Sequence, residues 1–402
     1  MRERSAPSLG SGLSALLVLG ASARDPDVAP FAAGARIGEC LVLVNAEGEV
    51  ALGYLSPMER EEAAASGLRL LGPDLLDVPR LARDGASPRE LLREVVRRAL
   101  QACAVRPGRV ALAGSHRNGL VHEVCGDLER DGWEFVSGHK LLRSFRKFKT
   151  AAEVVAVERS AAGVQQALRG VAEMLREAAV EEDGRLWLTG EELTVARLKA
   201  RVAEILAAHA LEQPEGGIVA PAEEGAVPHN SGTPQRCLRA GETLVVDLFP
   251  KGDLFADCTR TFVVGEATET VRRAHEAIRE ALLWAHRETQ AGVVGWSLQQ
   301  GVCDRLQEAG YPTPLSAPGT LEGYVHGLGH GVGFELHELP SFRDTGEDSS
   351  GVLAIGDVLT LEPGLYHPGD GYGVRLEDLV VIGEEGPVNL TPLPYELDPR
   401  AW

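Results

Sequence analysis

Cysteine is scarce in this chain and scattered. Six cysteines lie at 40, 103, 125, 237, 258 and 303, with no CxxC pair among them. That spacing argues against a zinc knuckle or a disulfide framework and fits a reducing compartment, the cytoplasm. Long apolar runs are missing too: none approaches the ~20 residues of a membrane span. Positive charge is in deficit. Forty Lys and Arg stand against 59 Asp and Glu, a net charge of −19. Such a surface repels nucleic acid and anionic membranes, and its plainest effect is solubility. Residues 1 to about 145 contain neither GxGxxG nor GxxxxGK[ST], so nucleotide binding has no support there. A GxSxG nucleophile motif is also lacking, which leaves a serine hydrolase without support.

The chain is 402 residues long, too long for one ordinary core, so two domains are expected. Hydrophobic residues at 44% and charged residues at 25% are typical of a globular protein. At the N-terminus, Arg2 and Arg4, the run LSALLVLG and the following ASA-RD mimic a secretory leader with an A-x-A site. We read LSALLVLG instead as a buried first strand, because the hairpin-like ECLVLVNAEGEVALGYL behind it needs a partner.

Residues 1–145 alternate strands (ALLVLG, CLVLVNAEGEVALGY, RVALAG, WEFVSG) with helices led by serine (SPMEREEAAASG, SPRELLREVVRRALQACA), which implies an α/β layer. The basic stretch LLRSFRKFKT, 141–150, reads as a connector, giving domains 1–145 and 146–402. Two long amphipathic helices follow. After about 215 the texture changes to short β-branched strands with Gly and Pro, interrupted by one helix, ETVRRAHEAIREALLWAHRETQ. The second domain is therefore α+β with a mainly antiparallel sheet.

Acidic residues inside apolar strands carry the chemistry. In TLVVDLF, Asp247 shares a pleat face with Val245 and Phe249. A buried carboxylate without a counter-charge is expensive. Asp257 opens DCTRTFVV ten residues on, and a turn at PKGDLF would bring both aspartates together. A basic residue such as Arg260 would suit one aspartate better than two. Glu362, in LTLEPG, and Glu377, in VRLEDLVV, repeat the anomaly. Four carboxylates with one histidine form a divalent-metal set, and two ions would balance their charge. Mn²⁺ or Co²⁺ suits such oxygen-rich ligands best, with Zn²⁺ the third choice.

The segment HGLGHGVGFELHE holds His326, His330 and His337. His326 and His330 have the i, i+4 spacing of HExxH, but residue 327 is Gly rather than Glu. Four interior glycines would each cost a helix ~1 kcal/mol. The segment is thus a strand or loop with close backbone approach. On a strand His326 and His330 would face one way, and His337 another unless a bulge intervenes. The glycines are expected to make room for a peptide and two ions.

On these residues the sequence resembles the pita-bread metallopeptidases, and within them the proline-specific branch of Xaa-Pro dipeptidase and aminopeptidase P. DLFPKGDLFADCTRTFVVG, HGLGHGVGFELHE, LTLEPGLY and GVRLEDLVVI carry the resemblance, in the family's order. DPDVAPFAAG and GYLSPMEREEAAASG are similar to the branch's creatinase-like N-terminal domain. The resemblance implies an α+β architecture: a catalytic domain with a curved, mainly antiparallel sheet behind a smaller α/β domain. It implies Asp247, Asp257, His330, Glu362 and Glu377 as ligands of two divalent ions, with Asp257 and Glu377 bridging. It places His229, His326, His337 and Arg375 in the substrate site, makes Glu362 the proton shuttle and lets His337 or His326 stabilise an oxyanion. The implied activity is Xaa-Pro dipeptidase-like hydrolysis of short peptides by a homodimer or higher oligomer. Aminopeptidase P activity on Xaa-Pro-Yaa peptides, a carboxypeptidase-like preference and a non-catalytic member of the fold are the alternatives. Metal-free, creatinase-like C–N hydrolysis is opposed by the five ligand positions. The aspartates are one residue closer than in the common family pattern, with Leu248-Phe249-Pro250 after the first, so an altered hairpin turn is expected.

Overall fold

The computed structural model describes residues 4–32, 34–344 and 351–402. Arg2, half of the basic pair in the leader-like stretch, lies outside them, as does residue 33 of DPDVAPFAAG. The chain divides into two compact units that meet in sequence between Arg146 and Lys147.

In the first unit, LSALLVLG forms the strand Ala15–Gly20, buried along its whole length. It pairs antiparallel with Cys40–Asn45 and parallel with Arg109–Ala113. Val50–Tyr54 and Arg69–Leu71 extend the sheet on one side, and Glu134–Ser137 on the other, to six strands. A strand with neighbours on both sides and both faces covered reads as a continuous apolar run. The helix Pro88–Ala102 starts on a reciprocal capping box between Ser87 and Glu90 and buries Leu92, Val95, Val96 and Ala99. The stretch expected as a connector is largely helical: His139–Arg146 forms a helix. Leu141, Leu142 and Phe145 pack into this unit's core, and the buried Arg146 pairs with Asp27 at 2.9 Å. Apolar anchors on one helical face overrode the basic composition.

The second unit opens with the helix Ala151–Glu177, capped by Thr150 and Glu153. The helix Val195–Ala208 follows. The stretch TGEELTVARLKARVAEILAAHA reads as one helix in the sequence, but Glu191–Glu192 belongs to a small antiparallel sheet. Three antiparallel strands, Gly217–Pro221, Thr243–Leu248 and Cys258–Val263, make one sheet. A five-stranded sheet has the order Glu338–Ser341, His330–Gly331, Val358–Leu361, Asp378–Gly383, Gly386–Asn389. Gly364–His367 and Tyr372–Arg375 form a hairpin. All these pairings are antiparallel, and the fold class is α+β. Among the described residues, besides the single turn Ala222–Gly225, two long helices, not one, interrupt the strands: Glu269–Glu288 and Gly295–Glu308. The second was legible. Leu298, Val302 and Leu306 recur every four residues and are buried, but Gly295 and Gly301 weaken the signal. Gly301 is needed there, since a Cβ would sit 2.0 Å from the Trp284 ring. Both helices pack on Leu359, Leu361, Val380 and Ile382 to form the unit's core.

His275, on the first of these helices, is buried, and its Nε2–H donates to the Tyr395 carbonyl at 2.7 Å. Burial holds its pKa below the ordinary histidine value. The unfolded chain therefore binds this proton more readily than the folded one, and stability is lost as pH falls below about 6.5. Between pH 7.5 and 5.5, the wild type should lose more Tm than His275→Gln. Equal losses in calorimetry would remove this histidine from the acid lability.

Candidate metal centre

The strands Thr243–Leu248 and Cys258–Val263 form the hairpin foreseen in the sequence, with Asp247 opposite Thr259 and Leu248 opposite Cys258. The shortened turn has its own ties. Ala256 N–H donates to the Pro250 carbonyl at 3.1 Å, and Gly252 N–H to that of Leu254 at 3.1 Å. Ser160, on the helix Ala151–Glu177, donates to the Leu254 carbonyl at 2.7 Å. Phe255 N–H donates to the Gly333 carbonyl at 2.8 Å. The turn thus couples the aspartate hairpin to the glycine-rich segment.

The five residues expected as ligands lie together. Asp257, His330 and Glu377 present ligand atoms within 4.8 Å of one another. His330 Nε2 is 3.5 Å from Glu362 Oε1 and 3.8 Å from Asp257 Oδ2. The carboxyl groups of Asp247 and Asp257 are neighbours. Burial, then the charges of Glu377, Asp247 and Glu362, push the Asp257 carboxyl far above its usual range. Burial and the charges of Asp247 and Glu362 do the same to Glu377. Glu362 is pushed up to about 8 by burial, with Arg375 opposing and Asp247 adding.

This set fits divalent cations. Asp247 Oδ1 and Asp257 Oδ1 are buried with no hydrogen-bond donor among the described residues. Burial, and then His337, push His330 down to about 3, so its imidazole is neutral. His330 Nδ1 lies 3.1 Å from the Gly331 carbonyl, which can only accept, so Nδ1 carries the proton. That leaves the Nε2 lone pair facing the carboxylates, the tautomer a metal ligand needs.

Hydrogen bonds hold the acids in place. Thr259 Oγ1 donates to Glu377 Oε2 at 2.7 Å, and Glu377 N–H donates to the Thr259 carbonyl at 3.1 Å. Arg260 does not pair with either aspartate. Along this strand Asp257, Thr259 and Thr261 share one pleat face, while Arg260 is on the other. There its guanidinium donates to the Glu377 carbonyl at 2.5 Å and to Asp378 Oδ1 at 2.7 Å. Asp378 Oδ2 also accepts from His286, Tyr395 and Asn389. The base beside Asp247 is Arg375. Its Nη2 donates to Asp247 Oδ2 at 2.7 Å, Nη1 to Tyr366 Oη at 2.8 Å and to the Pro228 carbonyl at 3.2 Å, and Nε to Thr259 Oγ1 at 3.1 Å.

The other histidines stand apart from one another. His326 is in a loop rather than on a strand, so parity does not align it with His330. Its Nδ1–H donates to the Gly327 carbonyl at 2.8 Å, and Nε2 accepts from Tyr366 Oη at 2.9 Å. Burial and the Arg375 charge push it down to about 4. His337 is exposed, yet its ring centroid lies 4.1 Å from that of His330. A register shift between His330 and Gly331, with the turn that follows, brings it there. His229 is exposed, next to the Pro228 carbonyl that Arg375 holds.

Three of the four glycines of this segment admit neighbouring protein. A Cβ at Gly329 would lie 2.0 Å from the Thr360 carbonyl oxygen, and one at Gly331 2.0 Å from that of Leu339. At Gly333 it would meet Lys149 Cε at 2.3 Å. Lys149 is fully buried and forms an ion pair with Glu338. At Gly327 a Cβ meets nothing within 4 Å.

Sequence reasoning passed over Thr259, Tyr366, Gln299 and Lys149. Thr259 had a signal, because Asp257, Thr259 and Thr261 put polar groups at every second position of a buried strand. Tyr366 and Gln299 are ordinary residues in a buried hairpin and a helix. Gly329→Ala should lower Tm and bound metal per chain sharply, whereas Gly327→Ala should leave both near wild type. Similar losses in the two variants, measured by calorimetry and elemental analysis, would overturn the close-approach account.

The sequence profile of Metallopeptidase family M24 matches residues 156–384. A protein of Pyrococcus furiosus named Xaa-Pro dipeptidase is 30% identical over 269 residues, spanning 66% of this chain and 68% of that one. The prolidase structure of Pyrococcus horikoshii OT3 superposes with a TM-score of 0.73 at 24% identity, covering 96% and 95% of the two chains. The X-Pro aminopeptidase structure of Thermotoga maritima does so with 0.69 at 21%, covering 96% and 95%. At those identities the structural likenesses concern the fold, which is the pita-bread arrangement behind an N-terminal domain. The profile match covers more than half of the chain, including the hairpin, the glycine-rich segment and both glutamates: this chain belongs to metallopeptidase family M24.

Proposed function

We propose that this protein is a two-metal peptidase that hydrolyses short peptides with proline after the scissile bond, acting on Xaa-Pro dipeptides. One observation carries the metal reading: Asp257, His330 and Glu377 converge within 4.8 Å, with the carboxylates of Asp247 and Glu362 beside them. The proline preference rests on the resemblance to the named Xaa-Pro dipeptidase. Asp247, Asp257, His330, Glu362 and Glu377 would hold the ions. Mn²⁺ or Co²⁺ suits four carboxylates and one imidazole, followed by Zn²⁺. When bound, such ions polarise the scissile carbonyl and lower the pKa of water from 15.7 toward about 7.

The remaining chemistry belongs to side chains. Glu362 is about 19% exposed, against 6% for Asp257, so it is the more open to substrate and solvent. It takes the proton of the attacking water and delivers it to the leaving nitrogen. A proline ring nitrogen leaves only once protonated, so this delivery is required. Of the two histidines considered for the oxyanion, His337 is favoured. In neutral His326, Nδ1–H is committed to Gly327 and Nε2 accepts from Tyr366, so neither nitrogen has a proton to offer. His337 is exposed beside His330 and can turn an N–H toward developing charge. Arg375 orients Asp247 through its hydrogen bond, and His229 would face the substrate side.

Six cysteines without a disulfide suit the cytoplasm, and no described helix is long and apolar enough to cross a membrane. We expect a homodimer or higher oligomer on the resemblance alone.

Protein treated with chelator should be inert toward Ala-Pro and Met-Pro and regain activity with Mn²⁺ or Co²⁺. Full activity with no bound metal would sink the reading. On the recovered enzyme, Xaa-Pro dipeptides should be cut and Xaa-Pro-Yaa peptides spared. The opposite pattern would establish the aminopeptidase reading instead. Asp257→Asn should lose at least ~10³-fold in kcat/KM, on the scale of losing one preorganised electrostatic group. Cys258→Ala should stay within a fewfold. Comparable losses would contradict the role given to Asp257.

A further inference from the structure

The helix Gly295–Glu308 places one polar side chain, Gln299, against the loop that precedes His330. Gln299 is buried, 4% exposed. Its amide makes a contact at every second residue of that loop. Oε1 accepts from Tyr324 Oη at 3.1 Å and from Leu328 N–H at 2.5 Å. Nε2 points to the His326 carbonyl at 3.5 Å and to Cys303 Sγ at 3.4 Å. The orientation of the amide follows from its partners, since a hydroxyl and an N–H donate while a carbonyl accepts.

Leu328 transmits the grip. Its N–H is held by Gln299, and its carbonyl accepts from Glu362 N–H at 2.7 Å. His326 is fixed in the same way. Gln299 reaches its carbonyl, the Tyr324 ring stands edge-on to its imidazole at 5.4 Å, and Tyr366 Oη binds Nε2. One side chain on a helix therefore sets the position of a wall of the site and of the residue assigned to proton transfer. A loop rich in glycine has little intrinsic preference for one path, so an external template of this kind decides its course.

We propose that Gln299 is a positioning residue: its amide registers the loop Tyr324–Leu328 against Glu362, and through it the geometry of proton transfer. The role in turnover rests on the peptidase reading given above; the role in loop registration does not.

The test compares Gln299→Met, which keeps length and loses every hydrogen bond, Gln299→Glu, which keeps an acceptor for Tyr324 and Leu328, and Val302→Ala, a core truncation on the same helix. Two measurements are made on metal-loaded full-length protein: kcat and KM on Ala-Pro, and amide exchange by mass spectrometry over 324–330 and 358–364. Gln299→Met should lower kcat by about 10–100-fold, the scale of a ~1 Å misplacement, with KM moving far less. It should speed exchange in both segments by about tenfold or more while bound metal per chain stays at the wild-type level. Gln299→Glu should recover part of both effects. Val302→Ala should lower Tm with kcat and exchange in those segments within twofold of wild type. Gln299→Met with wild-type kcat and exchange, or with changes no larger than those of Val302→Ala, would overturn the proposal. Were the wild type inert toward peptides, the functional reading would fall, and the exchange measurement would still decide whether Gln299 registers the loop.

Discussion

Four carboxylates meet in one buried space, where burial and neighbouring charge oppose the ionisation of Asp257, Glu362 and Glu377. That repulsion is the constraint around which the second unit is built. Asp257 and Glu377 are pushed far above the ordinary carboxylate range, first by burial and then by neighbouring acids: Glu377, Asp247 and Glu362 for the one, Asp247 and Glu362 for the other. A fold tolerates such a cluster when its members take up protons or when positive charge compensates it. One guanidinium, that of Arg375, reaches Asp247, and the rest of the cluster is left to a neutral imidazole and to the divalent ions proposed above.

The scaffold keeps this cluster open by separating its charges across a strand. The face of Cys258–Val263 that follows from Asp257 carries Thr259, which meets Glu377, and Thr261, which exchanges hydrogen bonds with the backbone of Arg375. The opposite face carries Arg260, fully buried, whose charge is spent on Asp378 and a set of carbonyls. Had Arg260 shared the face of Asp257, it would have neutralised the very acids a metal needs. Alternation along a pleated strand, a property of two-residue period, keeps the structural ion pair and the reactive one apart.

Much of this was legible because burial and charge are in conflict in the sequence itself. Acids at 247, 257, 362 and 377, within or at the ends of apolar strands, call for a common counter-charge, and they do converge. The glycine-rich segment announced close approach without saying what approaches. Its glycines make room for the carbonyls of Thr360 and Leu339 and for the Lys149 side chain. Lys149 sits 189 positions from the Glu338 it pairs with, and no local pattern joins them. The helix Gly295–Glu308 was missed although its apolar spacing is regular, because two glycines and a polar surface diluted it.

By itself the sequence determined the class of the fold, the antiparallel strands and the acids that come together in the second unit. These follow from period, composition and the cost of buried charge, which are local properties of the chain. Only the tertiary structure decided the pairings: Arg375 rather than Arg260 beside Asp247, His337 rather than His326 beside His330, and Gln299 behind the loop. Those choices depend on register, on one bulge and on side chains brought together from distant segments. Spacing along a chain carries no information about which of two chemically equivalent partners a folded neighbour will reach.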